Sequence, residues 1–467
     1  MADEKLELMA HLLRRAGAGS SRAELEEYAA RPYDDVVDDL INPERFPEPD
    51  DDVLVRYFPS LVNTDTPMLW TNRWIYRMVN TKRPLEEKMT LFWHHVFATA
   101  WFKSEHGPST QHHIQMLREN GLANMRQLLL GISHDPAMIY WLDNSENLGS
   151  APNENYGREL LELFSMGIGT YSEDDVKNAA RAFTGWTFEQ PIPLYPYGGF
   201  PSRFRYEPEH HDDSEKTFLG VTGPLNGEDI IDIIVQQTAT ARFIARHLYN
   251  FFVADEPQVP AWSIQEPEDK GGVDEIANAF MESDGDMRVV MRTLFNGDSF
   301  KKARFTRVKC PAEFVAGTLK LSGEIREPDP QMWKLHQALA AMGQTLMDPP
   351  SVEGWHTGKE WIDGGTLMER INFAVNHVGD PNRPGTRDIV ERLAAQGDSV
   401  SPESFVDTCL DLAGPLKAGD QTRQALLDHA NEGGDLRFDG DAAREESAKR
   451  VARMLTLIVA APEYQFA

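Results

Sequence analysis

Cysteine is nearly absent from this 467-residue chain, which carries only Cys310 and Cys409. That excludes a disulfide framework and every cysteine-based zinc or haem motif. Basic charge is also scarce. Against 74 Asp and Glu stand 46 Lys and Arg, a formal net charge of −28. Such a field repels phosphate backbones and anionic lipids, which argues against nucleic-acid and membrane-surface roles. The acidic excess is spread over short runs such as PEPDDD, SEDD and HDDSE rather than gathered in a tail. No apolar run approaches the ~20 residues of a membrane span. The opening segment, MADEKLELMAHLLRRAGAG, is acidic first and lacks the apolar core of a secretory leader. The expected compartment is cytoplasmic, or exported if a leader has been removed. Several catalytic signatures are missing too: no Gly-x-Ser-x-Gly elbow, no His-Glu-x-x-His and no P-loop. Gly167-Ile168-Gly169 is no dinucleotide fingerprint, because no strand precedes it.

What is present is a folded composition, 41% hydrophobic and 10% aromatic. Helix signals dominate. Ser21 to Glu24 reads as a capping box, Thr66-Pro67 and Asp135-Pro136 as helix starts, and Ser172 to Asp175 as another. Pro84 opens a predicted helix that is apolar nearly all round from Leu91 to Phe102 and therefore central. Another helix is predicted over 109–131. Residues 187–226 interrupt the run with Pro, Gly and aromatics. They predict an ordered loop with a short hairpin, Phe204–Tyr206 pairing with Thr217–Leu219. A second Pro/Gly/Trp loop spans 345–365. The fold class is mainly α, a multi-helix bundle-like domain with a short β-hairpin in the irregular insertion near 187–226. The expected organisation is a main helical domain over 1–380 and a C-terminal helical segment over 381–467 packed on it, or one continuous domain.

The stretch Asn153–Gly169, NENYGRELLELFSMGIG, concentrates carboxylates beside an apolar stripe. At about 100° per residue, Tyr156, Leu160, Leu163, Phe164 and Gly167 share one face. Asn155, Glu159 and Glu162 border it, and Glu154 and Arg158 lie on the other side. Glu154 and Arg158 are an i, i+4 pair, and a solvated ion pair is the ordinary use of such residues. His94 and His95 sit inside the most apolar helix. They point about 100° apart, so one undistorted metal site cannot take both. His210, His211, Asp212 and Asp213 are four consecutive ligand-capable residues in the long loop, suited to a divalent metal or a base–orienter pair, or to an ordinary solvated turn. His11 is expected to be structural. Tyr195, Tyr197, Phe200, Trp186 and Trp355 would suit a ring-bearing ligand or plain core packing.

Several blocks occur together and in order: HLLRRAGAG, KMTLFWHHVFAT, DPAMIYWLDN, the acid-rich stretch continuing to FTGW, HHDDSEKTFLG, TARFIARHLYNFFV, KCPAEFVAGTLK and DPPSVEGW. Over nearly its whole length the chain resembles the bacterial domain-of-unknown-function family numbered 1800. The resemblance implies a mainly helical family domain and no particular mechanism. It implies that His211 and Asp212 belong to a family block, while His210 is individual to this chain. Phe164 stands where many relatives carry His, and His95 where they often carry Asn. That weakens a metal reading built on a Glu-x-His pair. Relatives are often exported and encoded beside a family resembling alkaline phosphatases and sulfatases, which suggests a partner protein of that kind.

Together these features lead to the expectation of a hydrolase-like enzyme with a carboxylate–histidine site. Glu154, Arg158, Glu159 and Glu162 would be its catalytic group. His94 or His95, Glu159, His211 and Asp212 would hold a divalent metal. Two alternatives stand beside it. One is a non-catalytic binding or assembly protein. The other is a metal-free carbohydrate-active enzyme using paired carboxylates.

Overall fold

The computed structural model describes residues 2–59, 67–190 and 201–467. It is mainly α-helical, with 24 α-helices among the described residues and three small two-stranded antiparallel sheets. Local chemistry sets many boundaries. Ser21 and Ser172 form capping boxes with Glu24 and Asp175, and Asp135 accepts the Ala137 amide ahead of Pro136. One continuous set of buried apolar residues runs from Met9 to Tyr464. The C-terminal helices join it: Asp441–Ala460 packs on Gly364–Val378, and Pro384–Ala394 on Pro311–Ser322.

The helix Pro84–Val96 is central, with Leu91, Phe92, Trp93, His94 and His95 all buried. It stops short of the expected Phe102. Phe97–Ala100 leave the helix yet stay buried, because their polar backbone finds partners elsewhere. The Phe97 carbonyl accepts from His113 at 3.1 Å, and the Trp101 amide donates to the Met347 carbonyl at 2.9 Å. The expected helix over 109–131 is two helices, Gly107–Asn120 and Met125–His134. The break at Gly121 brings its backbone against Trp93, whose indole donates to the Gly121 carbonyl at 2.9 Å.

The expected hairpin pairs differently. Arg203–Tyr206 pairs with Trp186–Glu189, and Lys216–Phe218 pairs with Val221–Gly223. Leu219 and Gly220, both at positive φ, make the tight turn of the second hairpin. The first is fixed by Trp186, which is buried against Phe183, Phe204 and His134.

Candidate functional site

The acid-rich helix runs Asn155–Glu162 and ends more than a turn before Gly167. The Leu163 and Phe164 amides both donate to the Glu159 carbonyl, and those of Met166 and Gly167 to the Leu161 carbonyl. Gly167 has φ +72°, and any Cβ there would strike the Phe243 ring. Tyr156, Leu160 and Phe164 are buried as the spacing requires. Tyr156 shares a 2.5 Å hydrogen bond with the Ser133 hydroxyl, and Phe164 meets the Phe97 ring edge-on at 5.7 Å. The latter contact seats this helix against the end of the histidine helix.

The carboxylates fall into two environments. Arg158 holds Glu154 at 3.1 Å and Glu173 at 2.8 Å, with both acids well exposed. Its guanidinium is pushed up, first by the hydrogen bonds it donates to Glu173. This is a surface ion-pair network with no free acid–base group. Glu159 is different. It is half-buried and carries its carboxyl up to about 7, through burial first and then the charge of Glu162, with Glu353 adding and Arg158 opposing. Tyr171 faces the same acids, and its phenol is pushed up to about 12, mainly by burial.

Glu353 belongs to the second Pro/Gly/Trp loop, and that loop organises the neighbourhood. The Met347 amide donates to His94 Nε2 at 3.0 Å, and the Trp355 amide to His95 Nδ1 at 3.3 Å. Gly354, at φ +79°, lies so close to the His95 carbonyl that a side chain would collide. Asp348 accepts the Phe102 amide at 3.0 Å. The same loop thus runs from Phe102 to the acid beside Glu159. At the Phe102 end are exposed rings. Phe102 and Tyr140 are 54% and 40% exposed, and Trp141 meets Phe102 edge-on at 5.4 Å.

Other expected site residues have structural employment. Burial drives His94 well below its ordinary range and His95 down to about 4, so both are neutral acceptors of backbone amides. His211 Nδ1 donates to the Thr184 carbonyl at 2.9 Å. Asp212 binds Arg181 at 2.7 Å, takes the Ser214 amide at 2.9 Å, and its own amide donates to the Thr184 hydroxyl. Its carboxyl is held well below the usual range by the Arg181 and Ser214 hydrogen bonds, which outweigh burial. The His-Asp turn is therefore a lock under Thr184. Among the described residues no group of three or more His, Cys, Asp and Glu is placed to hold a metal ion. His94, His95, Glu159, His211 and Asp212 accordingly form no common shell. Trp186 and Trp355 are buried, while Tyr195, Tyr197 and Phe200 lie outside the described residues.

One constellation was not anticipated from the sequence. His113 and Asp135 form a fully buried pair, with His113 Nε2 at 3.1 Å from the Phe97 carbonyl. Their separation of 22 positions across two helices offers no periodic signal. Both ring nitrogens and the carboxylate are occupied by this pairing and by the Ala137 amide.

The profile of a family described as a protein of unknown function, DUF1800, matches residues 11–466, and the chain belongs to that family. No curated protein and no solved structure matches it.

Proposed function

We propose that the protein is a hydrolase-like enzyme working by carboxyl acid–base chemistry at Glu159, with carbohydrate as the first substrate class to test. The observation that carries this reading is the contrast on one short helix. Glu154 is neutralised by Arg158, whereas Glu159 meets acids and carries a proton up to about 7. A carboxyl that titrates near the working pH can donate a proton to a leaving-group oxygen. A second carboxylate, from Glu162 or Glu353, would then activate water or stabilise the developing cation. The exposed rings of Phe102 and Tyr140, with the half-buried Trp141 edge-on to Phe102, reached through the same loop, offer apolar faces for a sugar ring. Arg158 would pair Glu154 and Glu173 and temper the rise at Glu159.

The test is a panel of aryl glycosides, with aryl esters alongside, assayed with wild-type protein and Glu159→Gln. Turnover should fall at least about 100-fold in the variant. Wild-type activity should decline above pH 7 as Glu159 loses its proton. Unchanged turnover in the variant, or none by wild-type on any member, counts against the proposal.

A second reading, a non-catalytic assembly protein, draws on the same exposed Phe102 and Tyr140, since uncovered rings also suit a protein partner. Candidate partners include the sulfatase- or phosphatase-like proteins suggested by the family resemblance. That reading expects partner binding to survive Glu159→Gln and to be lost in Phe102→Ser.

A further inference from the structure

A cavity of about 360 Å³ opens far along the chain from the acid-rich helix. Its walls come from the first two helices and the turn between them, the helix Pro311–Ser322, the start of Pro384–Ala394, and the Leu412–Leu416 turn. Close backbone approach builds it. A Cβ on Gly317 would sit 3.0 Å from the Ala18 carbonyl. The volume lies within the ~300–1,000 Å³ of small-molecule sites.

The lining is basic in a strongly acidic protein. Five cations, Arg14, Arg22, Lys309, Lys320 and Arg326, face two acids, Glu313 and Asp388. Both acids are already engaged. Glu313 is clasped by Arg307 at 2.6 Å and by Lys88, and Asp388 pairs with Arg392 at 3.0 Å. Arg22 is likewise neutralised by Glu26 and Asp411. Three others direct their hydrogen bonds to backbone carbonyls, with Glu24 acting on Lys320 and Glu7, itself paired with Arg304, acting on Arg14 from beyond ion-pair distance. Arg14 donates to Gly414 at 2.7 Å, Lys309 to Tyr464 at 2.7 Å, and Lys320 to Gly19 at 3.1 Å. Among the described residues none of the three has a carboxylate within ion-pair distance, and Arg14 Nε is buried without any partner. All three side chains are half-buried, and taking cations even partly out of water without a close counter-charge is unfavourable. The molecule bears the strain visibly: burial and Arg304 bring Arg14 down to about 10, and burial and Arg14 bring Lys309 down to about 7.

We propose that this cavity binds a small organic anion, its carboxylate or phosphate head against Arg14, Lys309 and Lys320 and its apolar body against Leu25, Ile389 and Leu412. The anion supplies the missing counter-charge, and the apolar wall selects an amphipathic molecule over a bare ion. Arg14 and Lys309 fall in the blocks HLLRRAGAG and KCPAEFVAGTLK, and so does Lys320. Lys309 is faced by Arg14 and Arg15 from the first helix, by Arg370 from Gly364–Val378 and by Glu313 from Pro311–Ser322. Its ring neighbour is Tyr464, 4.2 Å from the ammonium. With three cations against one committed carboxylate, an arriving anion favours the protonated amine. Binding above pH 7 is therefore coupled to proton uptake.

The experiment uses the full chain with benzoate and phenyl phosphate, and phenol as the neutral control, read by calorimetry and thermal denaturation. One or both anions should bind and raise the melting temperature, and phenol should do neither. Lys309→Met and Arg14→Gln should each weaken binding at least about tenfold, the size of one charge-assisted contact. Titrations at pH 8 in buffers of different ionisation heat should reveal proton uptake in wild-type that Lys309→Met abolishes. Lys320→Met, whose own contact is a single carbonyl, repeats the test if either variant misfolds by circular dichroism. Absence of anion binding to wild-type overturns the proposal, as does binding undiminished in every folded variant.

Discussion

The acid-rich helix and the basic cavity treat charge in opposite ways. At the acid-rich helix Arg158 is balanced at the surface by Glu154 and Glu173, while the half-buried Glu159 feels the like charge of Glu162 more strongly than it is eased by Arg158. In the cavity most of the charge is unbalanced, because Arg14, Lys309 and Lys320 are satisfied by carbonyls and the local acids are committed elsewhere. Charge density therefore says little about where chemistry sits. The informative residue in each region is the one whose counter-charge is absent, since that group alone has free energy to gain from a proton or a ligand.

The largest effect should come from unbalancing what is now balanced. Glu313 is buried between Arg307 and Lys88 and also accepts the Cys310 amide at 2.8 Å. Glu313→Gln should lose about 3–5 kcal/mol in denaturant unfolding, because two buried cations lose their partner. Its carboxyl is held down to about 2, by Arg307 first and Lys88 next, against the opposing effect of burial. The wild-type contribution is thus fully present above pH 4.5 and fades only as pH falls through 2.

Lys309→Met acts in the other direction. The native amine is held at about 7 against an ordinary 10.5, so the unfolded chain binds the extra proton between those values. Wild-type stability should rise with pH across that window, and the variant should be more stable at pH 7 with a flatter profile, read by urea midpoints. A variant no more stable than wild-type would mean that Lys309 is already balanced.

Glu159→Gln tests the same logic with the sign reversed. The native carboxyl keeps its proton to about 7, while the unfolded one loses it near 4.5. Wild-type stability should therefore fall as pH rises through that interval, and the variant should gain about 1 kcal/mol at pH 8 after allowing for solvent screening. Arg158→Ala should matter least, at roughly 0.5 kcal/mol or below, as an exposed pair does. A larger loss would move Arg158 from the surface network into the site.

Much of the architecture was legible because it is written locally. The capping residues Ser21, Asp135 and Ser172 sit where their helices begin, and the apolar stripe of Tyr156, Leu160 and Phe164 faces inward. The misread boundaries have non-local causes. Nothing in an all-apolar helix marks Phe97 as its end; His113 and Met347 do so from other helices and loops. The strand Arg203–Tyr206 chose Trp186–Glu189 because the Trp186 ring is wanted in the core beside His134. For the site, the i, i+4 pairing of Glu154 and Arg158 could be read directly. The raised carboxyl of Glu159 depends first on its burial, and the cavity on residues 14, 309 and 320, which only folding brings together. His211 and Asp212 looked like ligands because their true partners, Thr184 and Arg181, are invisible at that spacing.

The central claim is that Glu159 holds a proton near neutrality. Carboxyl-selective carbon-13 titration of the whole chain, with Glu159→Gln to assign the signal, measures this directly. A Glu159 midpoint near 7 is the expected result. A midpoint at the ordinary 4.5 would contradict it and remove the acid–base site from the molecule.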